Sequence, residues 1–376
     1  MLVIDPSRIA RVKGFLDELQ YDVIHRALRP HYHVLPWPDF DDFAEAIECL
    51  PAPLRAAFDL LLLGKSFARK RAETLLDPLF IEDLLALNVL EEPTPAVIRT
   101  AGVSLLSFQG RYVFVSILPT YPTCRDTSIP VYLGPDSYTL AHNLPHGRPR
   151  DTVLDLGTGS GLQAILLAQA SRKVVATDLH EDAVATARFN VALNGLQDTI
   201  SVTAGDLYAP VEGERFDLIV SDAPYVPVPN SVPYPMYAAG GEDGMLVLGP
   251  LLDGVAAHLT PDGEAVLYAA GMGDQQRPFL TARLRALAER DNLTIDLVEL
   301  FRIAIDNDLL NHTASLALAQ PGETGTSPEW GALFERQGAR VIYKVLIRIR
   351  HGAPLLRYIA TGTGHLRATI EAADAE

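Results

Sequence analysis

Residues 152–163, TVLDLGTGSGLQ, constrain the fold of this chain more than any other stretch. Val153, Leu154 and Leu156 make a short apolar strand with Asp155 among them. Gly157, Gly159 and Gly161 then alternate before the helical run LQAILLAQA. Glycine at every second position removes side chains where a backbone must turn sharply or lie close to something else. A strand that breaks into such a turn and re-enters as a helix aims free amide N–H groups at a ligand. A dinucleotide fingerprint needs G-x-G-x-x-G and a Walker loop needs Gly-Lys-Ser/Thr. The glycines here alternate, and residues 157–170 contain no lysine, so neither pattern fits.

From Asp151 onward, strand and helix patterns alternate, as a doubly wound parallel sheet requires. Strands are expected at 153–157, 173–178, 199–208, 216–222 and 264–271, with helices at 161–170, 179–195, 245–259 and 275–290. LTIDLVELFRIAI and RVIYKVLIRIR read as closing strands, the second with Val341, Tyr343, Val345, Ile347 and Ile349 on one apolar face. The polar segment 321–329 separates them. Upstream, residues 6–28 place Ile9, Val12, Leu16, Leu19 and Val23 on one helical face, with Ser7 near the cap. Helices are also expected at 39–50, 53–64 and 77–90, and Gln109-Gly110 between two strand-like runs predicts a hairpin. Three segments are expected: 1–120, a helical and hairpin lid or dimerisation domain that resembles a winged helix; 121–150, a connector; and 151–376, the α/β domain.

Three acids fall at or near strand ends, where open α/β sheets bind ligands. They are Asp155, Asp178 and Asp206. Together with the glycine turn, D-x-G-x-G-x-G resembles the first motif of class I S-adenosylmethionine (SAM) dependent methyltransferases. The resemblance implies a Rossmann-like seven-stranded fold and SAM as cofactor. Its binding residues would be Asp155, Gly157, Thr158, Gly159 and Gly161, with Asp178 and Leu179 at the ribose and Asp206 and Leu207 at the adenine. Connector residues commonly fold over the cofactor in that family, which makes Tyr138, Thr139 and Asn143 site candidates.

Ser221-Asp222-Ala223-Pro224-Tyr225 at the end of the fourth strand resembles the N-P-P-Y/F and D-P-P-Y motifs of amino-methylating class I enzymes. The following AAGGEDGMLVL resembles the segment after that motif in release-factor glutamine methyltransferases. The resemblance covers roughly 150–270. It implies Asp222, Tyr225 and Ser221 as catalytic residues: the acid orients a planar nitrogen and the ring stacks on the acceptor. Tyr234 and Tyr237, in the next loop, are substrate candidates or loop anchors. Two departures stand out, Asp222 for Asn and Ala223 for Pro. A carboxylate only accepts hydrogen bonds and adds a negative charge, which favours an amine over a neutral amide.

Three functions stay open. The first is methyl transfer to nitrogen, or oxygen, of a small or peptide-like acceptor. The second is cyclisation of SAM itself to azetidine-2-carboxylate and methylthioadenosine. The third is a nucleic-acid or partner-binding protein with a SAM-sensing domain. The net charge of −16 concentrates in residues 151–300, with 8 basic against 21 acidic residues, which argues against a nucleic-acid partner. Basic residues at 65–71 and Arg340, Lys344, Arg348, Arg350 and Arg357 could build local patches, or lie on solvated faces. Cys49 and Cys124 are isolated, and the histidines, His31 and His33 included, lack metal spacing, so no metal is expected. No run approaches a membrane span and the start lacks a signal peptide's apolar core; the expected location is the cytoplasm.

Overall fold

The computed structural model describes residues 1–27, 47–116, 131–315, 327–360 and 367–371. The expected helix at 39–50, Cys124, His31 and His33 fall wholly or mostly outside them. The chain forms two compact units, one of Met1–His142 with Thr158–Ala204 and one of Asn143–Gly157 with Gly205–Glu376.

In the first unit, the helix expected over 6–28 is two: α1 (Pro6–Glu18) and α2 (Tyr21–Ala27). Gln20 at φ +55° breaks them. Asp5, not Ser7, caps α1, accepting from the Ser7 and Arg8 amides at 3.0 and 3.1 Å, and Pro6 occupies the first turn, where its missing N–H costs nothing. Ile9, Val12 and Leu16 are buried as their spacing requires, whereas Val23, past the break, is 52% exposed. Next come α3 (Ala52–Ala57), which runs on through a wider turn to Leu62, β1 (Phe67–Ala68), α4 (Arg69–Leu76) and α5 (Pro78–Ala86). Helix α4 carries the basic run and was not legible. Its Arg69 pairs with Glu73 and Glu92, and Lys65 just before it pairs with Asp59.

Strands β2 (Leu90–Thr94) and β3 (Val97–Thr100) pair antiparallel, as do β4 (Val103–Phe108) and β5 (Arg111–Ser116). The second pair is the hairpin foreseen at Gln109-Gly110, whose φ angles of +50° and +79° suit a tight two-residue turn. The connector, expected to be too polar for core, folds in part as α6 (Pro135–Asn143) and buries Tyr138, Leu140 and Ala141. The unit is completed by α7 (Leu162–Leu167), β7 (Ser171–Asp178), α8 (Glu181–Leu193) and β8 (Ile200–Ala204), with β7 and β8 parallel.

Among the described residues of this unit, strand β5 pairs only with β4, yet the Tyr112 and Phe114 backbone groups are bonded. The Asn190 carboxamide on α8 accepts from the Phe114 amide and donates to the Phe114 carbonyl, both at 2.8 Å. One turn on, Asn194 does the same for Tyr112, at 3.1 and 2.7 Å. Side-chain amides four residues apart on a helix thus match alternate residues of a strand, because both periods present one face. The second N–H of Asn190 reaches the Ser160 carbonyl at 2.8 Å, which ties the hairpin to the glycine turn.

The second unit holds β6 (Arg150–Leu156), β9 (Phe216–Ser221), β10 (Leu259–Gly273), β12 (Val341–His351), β11 (Leu293–Ala304), β13 (Leu355–Ala360) and β14 (Arg367–Glu371), neighbours in that order. Strands β6, β9 and β10 run parallel, and β12 runs antiparallel to both β10 and β11. With β7 and β8, the first five are the seven strands of the expected Rossmann-like α/β fold. Val341, Tyr343, Val345, Ile347 and Ile349 are all buried on one face of β12, as the alternation indicated. Helix α9 (Leu248–His258) precedes β10, and α10 (Leu280–Asp291) follows it. Four elements were not foreseen: β13, β14, and the helices α11 (Asn307–Ser315) and α12 (Ser327–Gln337) between β11 and β12. The C-terminal basic patch dissolves into ion pairs: Arg348 with Glu264, and Arg350 and Arg357 with Asp296. Burial pushes the Glu264 carboxyl up, but Arg150 at 2.6 Å and Arg348 together hold it below the usual range.

Two outcomes are expected of the first unit. Asn190→Ala leaves buried backbone groups unpaired and should cost about 3 to 5 kcal/mol of stability, at roughly 1 to 3 per group; a urea midpoint within error of wild type would refute the clamp. In Asp83, the hydrogen bond from Arg11 lowers the carboxyl pKa against burial, and Arg8 adds to it. That stabilisation is fully present above the ordinary aspartate value of 3.8 and is lost as pH falls through the lowered one. Asp83→Asn should therefore weaken the protein at neutral pH and flatten the acid limb of its denaturation curve below about pH 4.

Candidate active site

In the second unit, parallel pairing sets Leu156 opposite Ser221 and Asp155 opposite Val220. Gly157 and Asp222 therefore leave the sheet side by side. The Ser221 hydroxyl donates to the Leu156 carbonyl at 2.8 Å and is buried. It ties the ends of β6 and β9 together. Asp155 is buried, while Asp222 is half-buried and Asp206 exposed. Leu207 takes φ +44° at the start of the turn after Asp206.

In the first unit, Gly159 donates its amide to Asp178 Oδ2 at 2.9 Å, and the His180 amide reaches Oδ1 at the same distance. The carboxylate at the end of β7 thus fixes the glycine turn and keeps lone pairs for further donors. Thr158 is buried and its amide donates to the Thr177 carbonyl at 2.9 Å. Leu179 is 61% exposed. A Cβ at Gly157 or Gly159 would meet no atom within 4 Å, and their φ angles are +67° and +52°. Backbone conformation demands these glycines, and no side chain stands between the turn and a ligand. Within this unit, an open glycine turn with an acid bonded to it fits the ribose end of SAM that the resemblance implies.

The DAPY segment is clasped from behind by residues 238–246. Val226 donates to the Ala238 carbonyl and accepts from the Gly240 amide, both at 2.8 Å, and the Val228 amide reaches the Gly241 carbonyl at 2.9 Å. A Cβ on Gly240 would lie 2.6 Å from the Tyr225 carbonyl carbon, so only glycine lets the two backbones touch. The Tyr225 side chain is 4% exposed, its ring 5.8 Å from that of Tyr268. Lys344 on β12 donates to its hydroxyl at 3.0 Å.

Of the substrate candidates, Tyr138 is 1% exposed and packs on Phe108, ring centroids 5.3 Å apart. Asn143 is exposed, Thr139 bonds the Pro135 carbonyl at 2.7 Å and Tyr237 is half-buried. Tyr234 is buried against Trp330 of α12, which is itself fully buried and donates its indole N–H to the Pro227 carbonyl at 3.0 Å. Tyr234 is therefore a loop anchor. Sequence reasoning missed Trp330 and Lys344. A lone tryptophan in a polar segment carried no period, and Lys344 counted only as one cation in a patch. Among the described residues, no group of three His, Cys, Asp or Glu is arranged to hold a metal ion, and no helix is long and apolar enough to cross a membrane.

The fold, the glycine turn and the DAPY strand end resemble those of class I SAM-dependent methyltransferases. Residues 133–270 match the family model described as methyltransferase small domain. The chain is 36% identical over 130 residues to a ribosomal protein uL3 glutamine methyltransferase of Bradyrhizobium diazoefficiens, covering 32% of this chain and 41% of the relative. It is 37% identical over 162 residues to a release factor glutamine methyltransferase of Deinococcus radiodurans, covering 40% and 55%. It is also 35% identical over 147 residues to a tRNA1(Val) (adenine(37)-N6)-methyltransferase of Aeromonas salmonicida, covering 38% and 61%. The domain thus sits beside the release-factor glutamine methyltransferase-like branch, as its motifs indicated. The matches span about half the length of these relatives. The tRNA relative also corrects the inference from net charge, which had set nucleic acid aside.

Two substitutions separate cofactor from acceptor. Asp178→Ala should weaken SAM binding by about a hundredfold, as two charge-assisted hydrogen bonds in the turn are lost. Gly240→Ala should leave SAM affinity within about twofold and abolish turnover, because the clasp on Tyr225 opens. Calorimetric titration with SAM checks both, and equal loss of affinity in the two variants would contradict the division.

Proposed function

We propose that the chain transfers the methyl group of SAM to a planar NH2 nitrogen, an amide or an exocyclic amino group, of a larger acceptor. The observation that carries this reading is the pairing of Leu156 with Ser221, after which Asp222 and Gly157 leave the sheet side by side. Bound SAM supplies an electrophilic methyl group, and the chain's task is to hold a nitrogen in line with it. Asp222 accepts from the nitrogen's hydrogens and turns its lone pair toward the methyl. The Tyr225 ring, 4% exposed, anchors the segment that carries Asp222 and offers no open face for stacking. Positioning of this kind supplies most of the rate when no group on the protein is covalently engaged. Asp155, Gly157, Gly159, Asp178 and Asp206 would hold the cofactor. The relatives' printed acceptors, a glutamine amide and an adenine amino group, share this planar nitrogen and support the reading.

The test supplies methyl-labelled SAM with either a glutamine-containing peptide or an adenine-containing oligoribonucleotide. Label is expected in one of them with equimolar S-adenosylhomocysteine. Asp222→Ala should reduce turnover by about a hundredfold with SAM affinity kept. Methylthioadenosine formed at turnover rates from SAM alone would replace this reading with cyclisation of the cofactor. No label in either acceptor would remove it.

A further inference from the structure

We propose that Lys344 is a positioning residue for the methyl acceptor, anchoring the buried Tyr225 ring and, through it, the DAPY segment that carries Asp222; this rests on the methyltransferase reading above. Lys344 lies on β12, outside the segment matched to the family model, in register with Ala270 on β10 and Phe301 on β11. Strands on both sides hold its backbone, so the side chain starts from a fixed point in the sheet. Its ammonium is 3.0 Å from the Tyr225 hydroxyl, 4.5 Å from the centre of the Tyr225 ring and 5.8 Å from that of Tyr268. Both ring distances lie within the range of cation–π attraction, and Lys344 is half-buried, which strengthens such contacts.

The two ends of Tyr225 are thus held by different segments. Gly240 and Gly244 press on its backbone, where added Cβ atoms would lie 2.6 and 2.8 Å away. Lys344 holds the phenol. A ring fixed only at its backbone can still turn about its side-chain bonds. With the hydroxyl engaged, those rotations are closed, and the segment that carries Asp222 is held in one position. The other cations of the same β12 face, Arg348 and Arg350, pair with carboxylates that tie strands together. Lys344 alone among these three points its charge at an element of the candidate site.

The test uses the full chain with Lys344→Met and Lys344→Arg. The acceptor is whichever of the glutamine peptide and the adenine oligoribonucleotide the wild type methylates. Lys344→Met should raise the acceptor KM about tenfold, the size of a lost hydrogen bond to a charged group, with a smaller change in kcat and none in SAM affinity. Lys344→Arg, which keeps a donor and a cation, should restore the KM. An unchanged KM overturns the proposal, and so does a parallel loss of SAM affinity and thermal midpoint, which would mark a general packing role. A second measurement stands apart from catalysis. With tyrosine labelled at Cζ, the Tyr225 resonance, identified by its absence in Tyr225→Phe, should move in Lys344→Met and return toward its place in Lys344→Arg. If the wild type methylates neither probe, the functional reading fails, and this resonance alone decides whether Lys344 fixes the ring.

Discussion

The carboxamide of Asn190 joins three segments of its unit: helix α8, strand β5 and the glycine turn. It is fully buried, and a buried amide must have its hydrogen bonds made or it costs stability. Here it completes the ladder of β5 through Phe114 and spends its remaining N–H on Ser160 of the glycine turn. Among the described residues, a helix stands in for a second strand neighbour. The N-terminal hairpin and the turn read as the cofactor loop are consequently set by the same side chain. Loosening one disturbs the other, which gives the N-terminal segment a physical link to the cofactor turn without any ligand contact of its own.

Charge is distributed on a related principle. The cations that looked like patches in the sequence are mostly spent inside the structure: Asp83 receives Arg8 and Arg11, Glu264 receives Arg150 and Arg348, and Asp296 receives Arg350 and Arg357. Each buried acid gathers two guanidinium groups, since a buried charge is tolerated only when paired and hydrogen-bonded. These clusters join elements far apart in sequence. Net charge counted along the chain therefore said little about which surface a partner would meet.

Much of the α/β framework was legible because it rests on local periods. Alternation of strands and helices from Asp151 onward, the turn at Gln109-Gly110 and the buried face of β12 all follow from spacing that repeats within a few residues. Helices α11 and α12 and strands β13 and β14 were not legible. They are short, and what fixes them is distant in the chain, as the Pro227 carbonyl is for Trp330. Asp5 displaced Ser7 as the first cap because Pro6 suits the first helical turn, a competition between neighbours that periodicity does not register. Tyr138 and Tyr234 were candidates for ligand contact, and each packs on a neighbouring ring, Phe108 and Trp330.

The amino-acid sequence by itself determined the glycine turn, the acids at the strand ends and the DAPY segment, hence the class of cofactor they resemble a site for, and left the reaction open. Those features depend on residue type at fixed local spacing, which the backbone converts directly into geometry. The tertiary structure alone decided that Asp222 emerges beside Gly157, that Gly240 lies against Tyr225 and that Lys344 holds its hydroxyl. Each is a contact between residues 15 to 119 positions apart, and such contacts arise from strand order and register, which no single stretch of the chain contains.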